Sequence, residues 1–245
     1  DEGGSTGRVA SGDCKREGDG EVAVTDNNTT APSIRVLLAD GHGGLREAWG
    51  SGLVDGHERA EIAAADVDGD GILDLVASEG LYVFVGKGDG TFHQAYQDDY
   101  VGARGIALGD FDGDGKLDAA LYRAKRPGLT IMPGKGDGTF AKERKTTVAV
   151  DGAVNAVAAA DLDGDGHVDL AVGTDSALLV LLGKGDGSFA PARRIDGVPS
   201  AVSMAAADLD GDRRIDLVVA YAGEQVSAVL RNAGGGVFRR AGSVP

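Results

Sequence analysis

Residues 161–169 read Asp-Leu-Asp-Gly-Asp-Gly-His-Val-Asp, four carboxylates in nine residues, and close copies begin at Asp66, Asp110 and Asp208. Aspartates at positions one, three and five, glycines that let the chain turn, and a closing aspartate at position nine make an oxygen cage for a hard cation. Left unneutralised, carboxylates this close repel and raise one another's pKa values. A divalent ion removes that penalty, and Ca2+ is the ion that accepts six to eight oxygens in loose geometry. The chain is expected to bind about four structural Ca2+ and to be built from repeats.

The loops are separated by 44, 51 and 47 residues. A period in this range, with short apolar runs and glycine turns, points to a propeller or a solenoid. The unit is fully legible around the third loop. Strand A is Val157–Ala160, strand B is Leu170–Val172 and strand C is Ala177–Leu182. A tight Gly-Lys-Gly-Asp-Gly turn at 183–187 then leads into strand D from Phe189 to Ile195. Four strands per unit match one propeller blade. The turn lacks Walker spacing and leads into a strand, so it reads as a hairpin and not as a phosphate loop.

A fifth, decayed unit opens the chain, with Asp13, Glu17 and Glu21 at loop positions one, five and nine and Lys15 at position three. No metal is expected there, because Lys15 brings its own positive charge or leaves the loop open. Its strands B and C are Val22–Val24 and Ile34–Leu38, and Leu45 stands where other units carry Phe92, Phe140, Phe189 and Phe238. The expected fold is therefore all-β, a single propeller domain over 1–245. Its five four-stranded blades run near 5–54, 55–101, 102–150, 151–198 and 199–245, with calcium in the A–B loops. Small residues recur just before each loop: Ala10, Ala63, Ala107, Ala158 and Ala205, then Gly12, Ala65, Gly109, Ala160 and Ala207. An innermost strand needs that where backbones approach closely.

Net charge of −15 argues against nucleic-acid or anionic membrane partners. Four Ca2+ would bring it to about −7, so roughly half the excess belongs to the loops themselves. Aromatics are only 5% of residues, which leaves Val, Leu, Ile, Ala and the recurrent Phe to hold the blades. Trp49 is expected to pack between blades one and two. One cysteine, Cys14, excludes an intrachain disulfide framework. No apolar run approaches the roughly 18 residues of a membrane span, so no membrane insertion is expected. The opening Asp1-Glu2-Gly3-Gly4-Ser5 looks like a processed product. Weak acidic loops fill only where calcium is plentiful, so an extracellular location, secreted or at the cell surface, is expected.

At the Asp-x-Asp-Gly-Asp-Gly-x-x-Asp loops and the later Gly-x-Gly-Asp-Gly-x-Phe turns, the chain resembles the FG-GAP/VCBS repeat family, the calcium-loop β-propellers of integrin α subunits and secreted bacterial proteins. The resemblance implies side-chain ligands at positions one, three, five and nine and a backbone carbonyl at position seven. Carried over, these are Asp66, Asp68, Asp70, Ile72 and Asp74; Asp110, Asp112, Asp114, Lys116 and Asp118; Asp161, Asp163, Asp165, His167 and Asp169; and Asp208, Asp210, Asp212, Arg214 and Asp216. Arg213 replaces the position-six glycine of the last loop, where a left-handed backbone makes a side chain costly, so that site is expected to be weaker. Integrin relatives have seven blades, so five either close a small ring or form an arc that needs partner blades.

The A–B loops and C–D turns share one rim and vary little. The opposite rim varies freely, and divergent loops on one face are where repeat proteins place binding. Asn27, Asn28, His57, Glu58, Arg59, Tyr96, Asp98, Asp99, Arg123, Lys125, Arg126, Glu224 and Gln225 fall on that rim. Candidate ligand contacts around its mouth are Arg8, Glu61, Tyr100, Arg104, Tyr122, Asn155 and Tyr221. Polar groups with a few tyrosines suit a glycan or an extracellular protein ligand. The leading expectation is a non-enzymatic recognition module. The alternatives are a lyase, isomerase or cyclase using Glu61, Tyr100, Arg104 or Tyr122, and an assembly role with self-association if five blades do not close.

Overall fold

The computed structural model describes residues 9–12, 21–26, 33–39, 42, 44–52, 61–98, 102–123, 125–198, 201–221 and 227–244. Glycine turns cut the apolar runs every few residues, and the result among the described residues is twenty strands in five four-stranded sheets. The first sheet holds β1 (Val9–Gly12), β2 (Glu21–Asp26), β3 (Ser33–Ala39) and β4 (Leu45–Gly52). The second holds β5 (Ile62–Ala65), β6 (Asp74–Ala77), β7 (Tyr82–Gly86) and β8 (Phe92–Gln97). The third holds β9 (Ala103–Gly109), β10 (Asp118–Arg123), β11 (Leu129–Met132) and β12 (Thr146–Val148). The fourth holds β13 (Val154–Ala160), β14 (Asp169–Thr174), β15 (Leu178–Leu181) and β16 (Arg193–Ile195). The fifth holds β17 (Ala201–Ala207), β18 (Asp216–Tyr221), β19 (Ser227–Asn232) and β20 (Phe238–Val244).

In each sheet the strands pair antiparallel in chain order, the meander expected of a propeller blade. A single 3-10 turn, Lys142–Arg144, is the one helical piece among the described residues. No helix there is long and apolar enough to cross a membrane. Two compact units emerge: residues 1–106 with the turn 134–139, and residues 107–133 with 140–245.

In the second, third and fourth sheets strands B and C are buried along almost their whole length, and in the fourth alternation divides their side chains between two cores. In β14, Leu170 and Val172 join a cluster with Phe111, Ala120, Leu129 and Ile131 of the third sheet. Ala171, between them, points the other way into a cluster with Leu217, Val219 and Leu230 of the fifth sheet. β15 divides the same way, Leu179 and Leu181 to one side, Leu178 and Val180 to the other. Period two here separates two apolar faces, which is why these strands read as continuous hydrophobic runs. In the first unit Ile34, Val36 and Leu38 pack on Leu75, Phe84 and Phe92. Trp49 sits between those sheets as expected, its ring centroid 5.3 Å from Phe84 and 5.2 Å from Phe92.

Strand A is an edge strand of every sheet, and its small residues have a steric reason. A methyl in place of a hydrogen on Gly12 would lie 2.3 Å from Leu73 Cδ1, and on Gly109 2.8 Å from Val168 Cγ1. Leu73 and Val168 are both position eight of the following sheet's acidic loop, so the loop itself demands the glycine. Strand D is shorter than expected. In the fourth sheet Phe189 makes one isolated bridge to Gly183, the Ala190 N–H still reaches Leu182 O at 2.8 Å, and strand pairing resumes at Arg193. Pro191, which has no N–H to offer a ladder, lies in the gap.

Two positions in the first and last sheets differ from their equivalents. Loop position two is buried in Val67, Phe111 and Leu162, but Leu209 in the last sheet is 42% exposed. At the start of strand D, Phe92 and Phe140 are buried, whereas Leu45 in the first sheet is 58% exposed.

Candidate metal centre

Each acidic loop is wound by its own carboxylates before any ion is considered. The position-one aspartate accepts from at least two backbone N–H groups: Asp66 from Gly69 and Gly71, Asp110 from Gly113, Asp114 and Gly115, Asp161 from Gly164 and Gly166, Asp208 from Gly211 and Arg213. The position-three carboxylate accepts from the N–H two residues on, as Asp163 does from Asp165 at 3.1 Å. Position five does likewise, with Ile72, Lys116, His167 and Arg214 donating to Asp70, Asp114, Asp165 and Asp212. These nested turns need positive φ at position six, which is 80° at Gly71, 81° at Gly115 and 89° at Gly166. Arg213 takes 69° there, so the strain anticipated from its sequence position is present.

The ninth aspartate does a different job. Asp74, Asp118, Asp169 and Asp216 are almost wholly buried. One oxygen of each accepts the position-two N–H, of Val67, Phe111, Leu162 and Leu209 respectively. The other oxygen of Asp74 accepts from Gly86 at 2.9 Å, that of Asp169 from Gly183 at 2.7 Å and that of Asp216 from Asn232 at 2.8 Å. One carboxylate thus ties the A–B loop to the C–D turn of the same sheet. The C–D turns are the hairpins expected, closed by bonds such as Lys87 N–H to Thr91 O at 3.0 Å. Asp89, Asp137 and Asp186 cap them, each held below the usual carboxylate pKa by the hydroxyl and N–H of Thr91, Thr139 or Ser188.

Among the described residues, carboxylate oxygens converge to within 4.8 Å of one another in four groups: Asp66, Asp68 and Asp70; Asp110, Asp112 and Asp118; Asp161, Asp163 and Asp169; and Asp208, Asp210 and Asp216. Asp74 in the first loop, and Asp114, Asp165 and Asp212 in the others, stand outside these closest groups. In the first three loops the donor set fits a hard divalent ion: all oxygen, convergent, on a short flexible loop. Burial pushes Asp74 up to about 6 against the pull of the Gly86 and Val67 N–H groups, with Asp68 and Asp66 adding to the rise. Burial also raises Asp169, helped by the charges of Asp163 and Asp165.

The fourth loop is different. Arg231 Nη1 lies 3.1 Å from Asp210 Oδ2 and 2.5 Å from Asp216 Oδ2. Burial would raise Asp216, but the Asn232 N–H, the Arg231 guanidinium and the Leu209 N–H outweigh it and hold the carboxyl below the usual range. Arg214 pairs with Asp212 and donates through Nε to the Asn232 carbonyl. Neither Arg231 nor Asn232 was singled out in the sequence. The signal was there, since the other turns carry Val85-Gly86, Pro133-Gly134 and Leu182-Gly183 at these two places.

The decayed loop, with Asp13, Cys14, Lys15 and Glu17, lies outside the described residues, as do Arg8 and Tyr100 of the candidate ligand set. So do Asn27, Asn28, His57, Glu58, Arg59, Asp99, Glu224 and Gln225. In the first unit Glu61 accepts the Ile106 N–H at 3.2 Å, and Arg104 is half-buried. In the second, Tyr122 is buried with its hydroxyl on the Asn155 carbonyl at 2.7 Å, and Tyr221 is buried as well. Asp98, expected on the variable rim, is buried and accepts from the Tyr96 hydroxyl at 3.2 Å.

Residues 120–172 and 161–219 each match the FG-GAP-like repeat. The chain thus carries FG-GAP-like repeats over residues 120–219. Its sheets are the blades of an FG-GAP repeat β-propeller fold. No curated protein matches the sequence. Among solved structures it is similar to a lectin of Agrocybe aegerita, described by its specific recognition of non-reducing terminal N-acetylglucosamine. That match is 23% identical with a TM-score of 0.67, over 96% of this chain and 65% of the lectin. It is also similar to the Photorhabdus luminescens Tc holotoxin pore at 21% identity and TM-score 0.51, over 97% of this chain and 12% of that one. A third similar structure is the V. cholerae biofilm matrix protein Bap1 at 20% identity and TM-score 0.50, over 98% of this chain and 39% of that one. The FG-GAP-like chain therefore spans less than two thirds of each of these proteins.

The raised carboxyl of Asp74 sets a pH dependence. A group whose folded pKa is near 6 costs stability once the pH passes 6, and the cost vanishes as the pH falls toward its ordinary value of 3.8. The lowered carboxylates, Asp89, Asp114, Asp137, Asp186, Asp208 and Asp216, lose stability only in stronger acid. In calcium-free buffer the urea midpoint is therefore expected to rise as the pH is lowered from about 7 to about 5, and Asp74→Asn to shrink that rise. A midpoint that falls over this interval, or identical slopes in both proteins, refutes the assignment.

Proposed function

We propose that this chain is a secreted, non-enzymatic recognition module, an FG-GAP-like propeller stiffened by Ca2+ in its A–B loops that binds a glycan or an extracellular protein on the opposite rim. The observation that carries it is the convergence of carboxylate oxygens in in-register loops, each wound by the same hydrogen bonds. In this reading Ile72, Lys116 and His167 add backbone carbonyls to the first three sites. At about 1 mM Ca2+ and a dissociation constant near 10 μM, each filled site adds roughly 2.7 kcal/mol. Calorimetric titration of chelated protein is expected to show tight, saturable binding and a higher melting temperature, with Asp163→Ala losing one event. Absence of both heat and thermal shift refutes the metal reading.

Glycan recognition draws its support from the lectin of the same fold. Among the described candidates, the half-buried Arg104 and Asn155 are better placed to meet a sugar than the buried Tyr122 and Tyr221. A glycan array probed in calcium is expected to select a narrow class of sugars, and Asn155→Ala to weaken that signal without moving the melting temperature. Arrays and extracellular pull-downs that return nothing reject the recognition reading.

One observation favours a second, assembly reading. Leu209 is exposed at a position where its equivalents Phe111 and Leu162 are covered by the next sheet, and Leu45 is exposed where Phe92 packs on the preceding sheet. The two surfaces are complementary in kind, so the occupant proposed for Leu209 is the first sheet of a second copy. Light scattering across a concentration series is then expected to show association that Leu209→Asp abolishes. A monomer at every concentration rejects it.

A further inference from the structure

We infer that the fourth acidic loop carries its cation within the chain: Arg231 stands where Ca2+ would sit, so the last sheet closes its rim without metal while the other three depend on it. The inference rests on the calcium reading of those three loops.

Charge within the nine-residue segments already separates them. Loops one and three hold four carboxylates and no Lys or Arg, whereas loop four holds four carboxylates with Arg213 and Arg214, and Arg231 arrives from the turn above. The net charge is thus −4 for loops one and three and −1 for loop four with Arg231 included.

Geometry specifies which carboxylates are taken. Asp210 and Asp216 are two of the three residues whose oxygens converge in this loop, and Arg231 Nη1 contacts both, at 3.1 and 2.5 Å. An ion 2.3–2.6 Å from the same oxygens would have to displace the guanidinium. Arg214 holds the remaining mid-loop carboxylate, Asp212.

Arg231 is also anchored. Its neighbour Asn232 donates its N–H to Asp216, and through Nδ2 donates to Ile215 O at 3.0 Å and Leu162 O at 2.7 Å. The Asn232 Oδ1 accepts the Gly234 N–H at 2.9 Å. Four bonds fix the residue next to Arg231, so the guanidinium is delivered from a rigid base and less entropy is lost in holding it on the carboxylates. Arg144 approaches Asp112 in the second loop but contacts that carboxylate alone, at 3.4 Å from an exposed 3-10 turn, and is no equivalent lock.

The test uses the full chain and Ca2+ alone. Calorimetric stoichiometry is expected to be three for the wild type, one fewer than the four carboxylate groups. It is expected to be four for Arg231→Leu, which installs the residue found at Leu182, and three for Arg231→Lys. Four events in the wild type, or no gain in Arg231→Leu, overturns the inference. A wild type that binds no calcium refutes the preceding reading instead, and Arg231→Leu then decides here, since a gained site supports the lock and none overturns it. Hydrogen exchange on the wild type needs no variant. Peptides covering 66–74, 110–118 and 161–169 are expected to gain protection on calcium addition and 208–216 to stay unchanged, while protection gained equally in all four overturns the lock.

Discussion

The rim of every described sheet that carries an acidic loop depends on one buried carboxylate, the aspartate that closes the loop. In Asp74, Asp169 and Asp216 both oxygens are spent on backbone N–H groups from two different turns, one inside the loop and one at the following hairpin. Charge-assisted bonds of this kind are among the stronger ones available to a protein, and they have to be, because a carboxylate taken out of water is costly. The other aspartates wind the loop; this one decides where the wound loop sits. Burial chiefly, with the neighbouring carboxylates in addition, pushes Asp74 and Asp169 upward. A cation is the physical remedy, and in the last sheet the chain has built one from Arg231.

Behind the rim, the core is organised by two-faced strands. Because neighbouring residues of β14 and β15 belong to different clusters, the fourth sheet contributes to two interfaces at once. Large aromatics are few, so the contacts are made chiefly by Val, Leu, Ile and Ala, with Phe at the hairpin ends. Phe111 and Phe189, whose rings meet at 5.7 Å, show how the hairpin of one sheet reaches the loop of its predecessor.

Much of this was legible in the sequence. The repeat period, four strands per unit, the wedge role of Trp49 and the left-handed position of Arg213 all follow from spacing and turn chemistry, which are local and periodic. What was not legible depended on comparison across a turn or on the neighbouring sheet. Strand D was overextended because Phe189 looks like a strand start, while Pro191 withholds the donor that would continue it. Arg231 was overlooked because it lies outside the acidic loop in sequence and meets it only once β18 and β19 pair. The family resemblance supplied ligand positions but could not report an arginine delivered from the adjoining hairpin. The bond from the Tyr122 hydroxyl to the Asn155 carbonyl is of the same kind, a partner from the neighbouring sheet that no spacing reports.

The bond from Asn232 Nδ2 to the Leu162 carbonyl joins the rim of the last sheet to the acidic loop of the sheet before it. Leu162 is also the residue whose N–H anchors Asp169. A single peptide segment is therefore gripped from both sides, by its own closing carboxylate and by a neighbour's amide. The penultimate sheet's acidic loop and the terminal hairpin are therefore tied together through that one amide, so neither can shift without the other losing a buried bond.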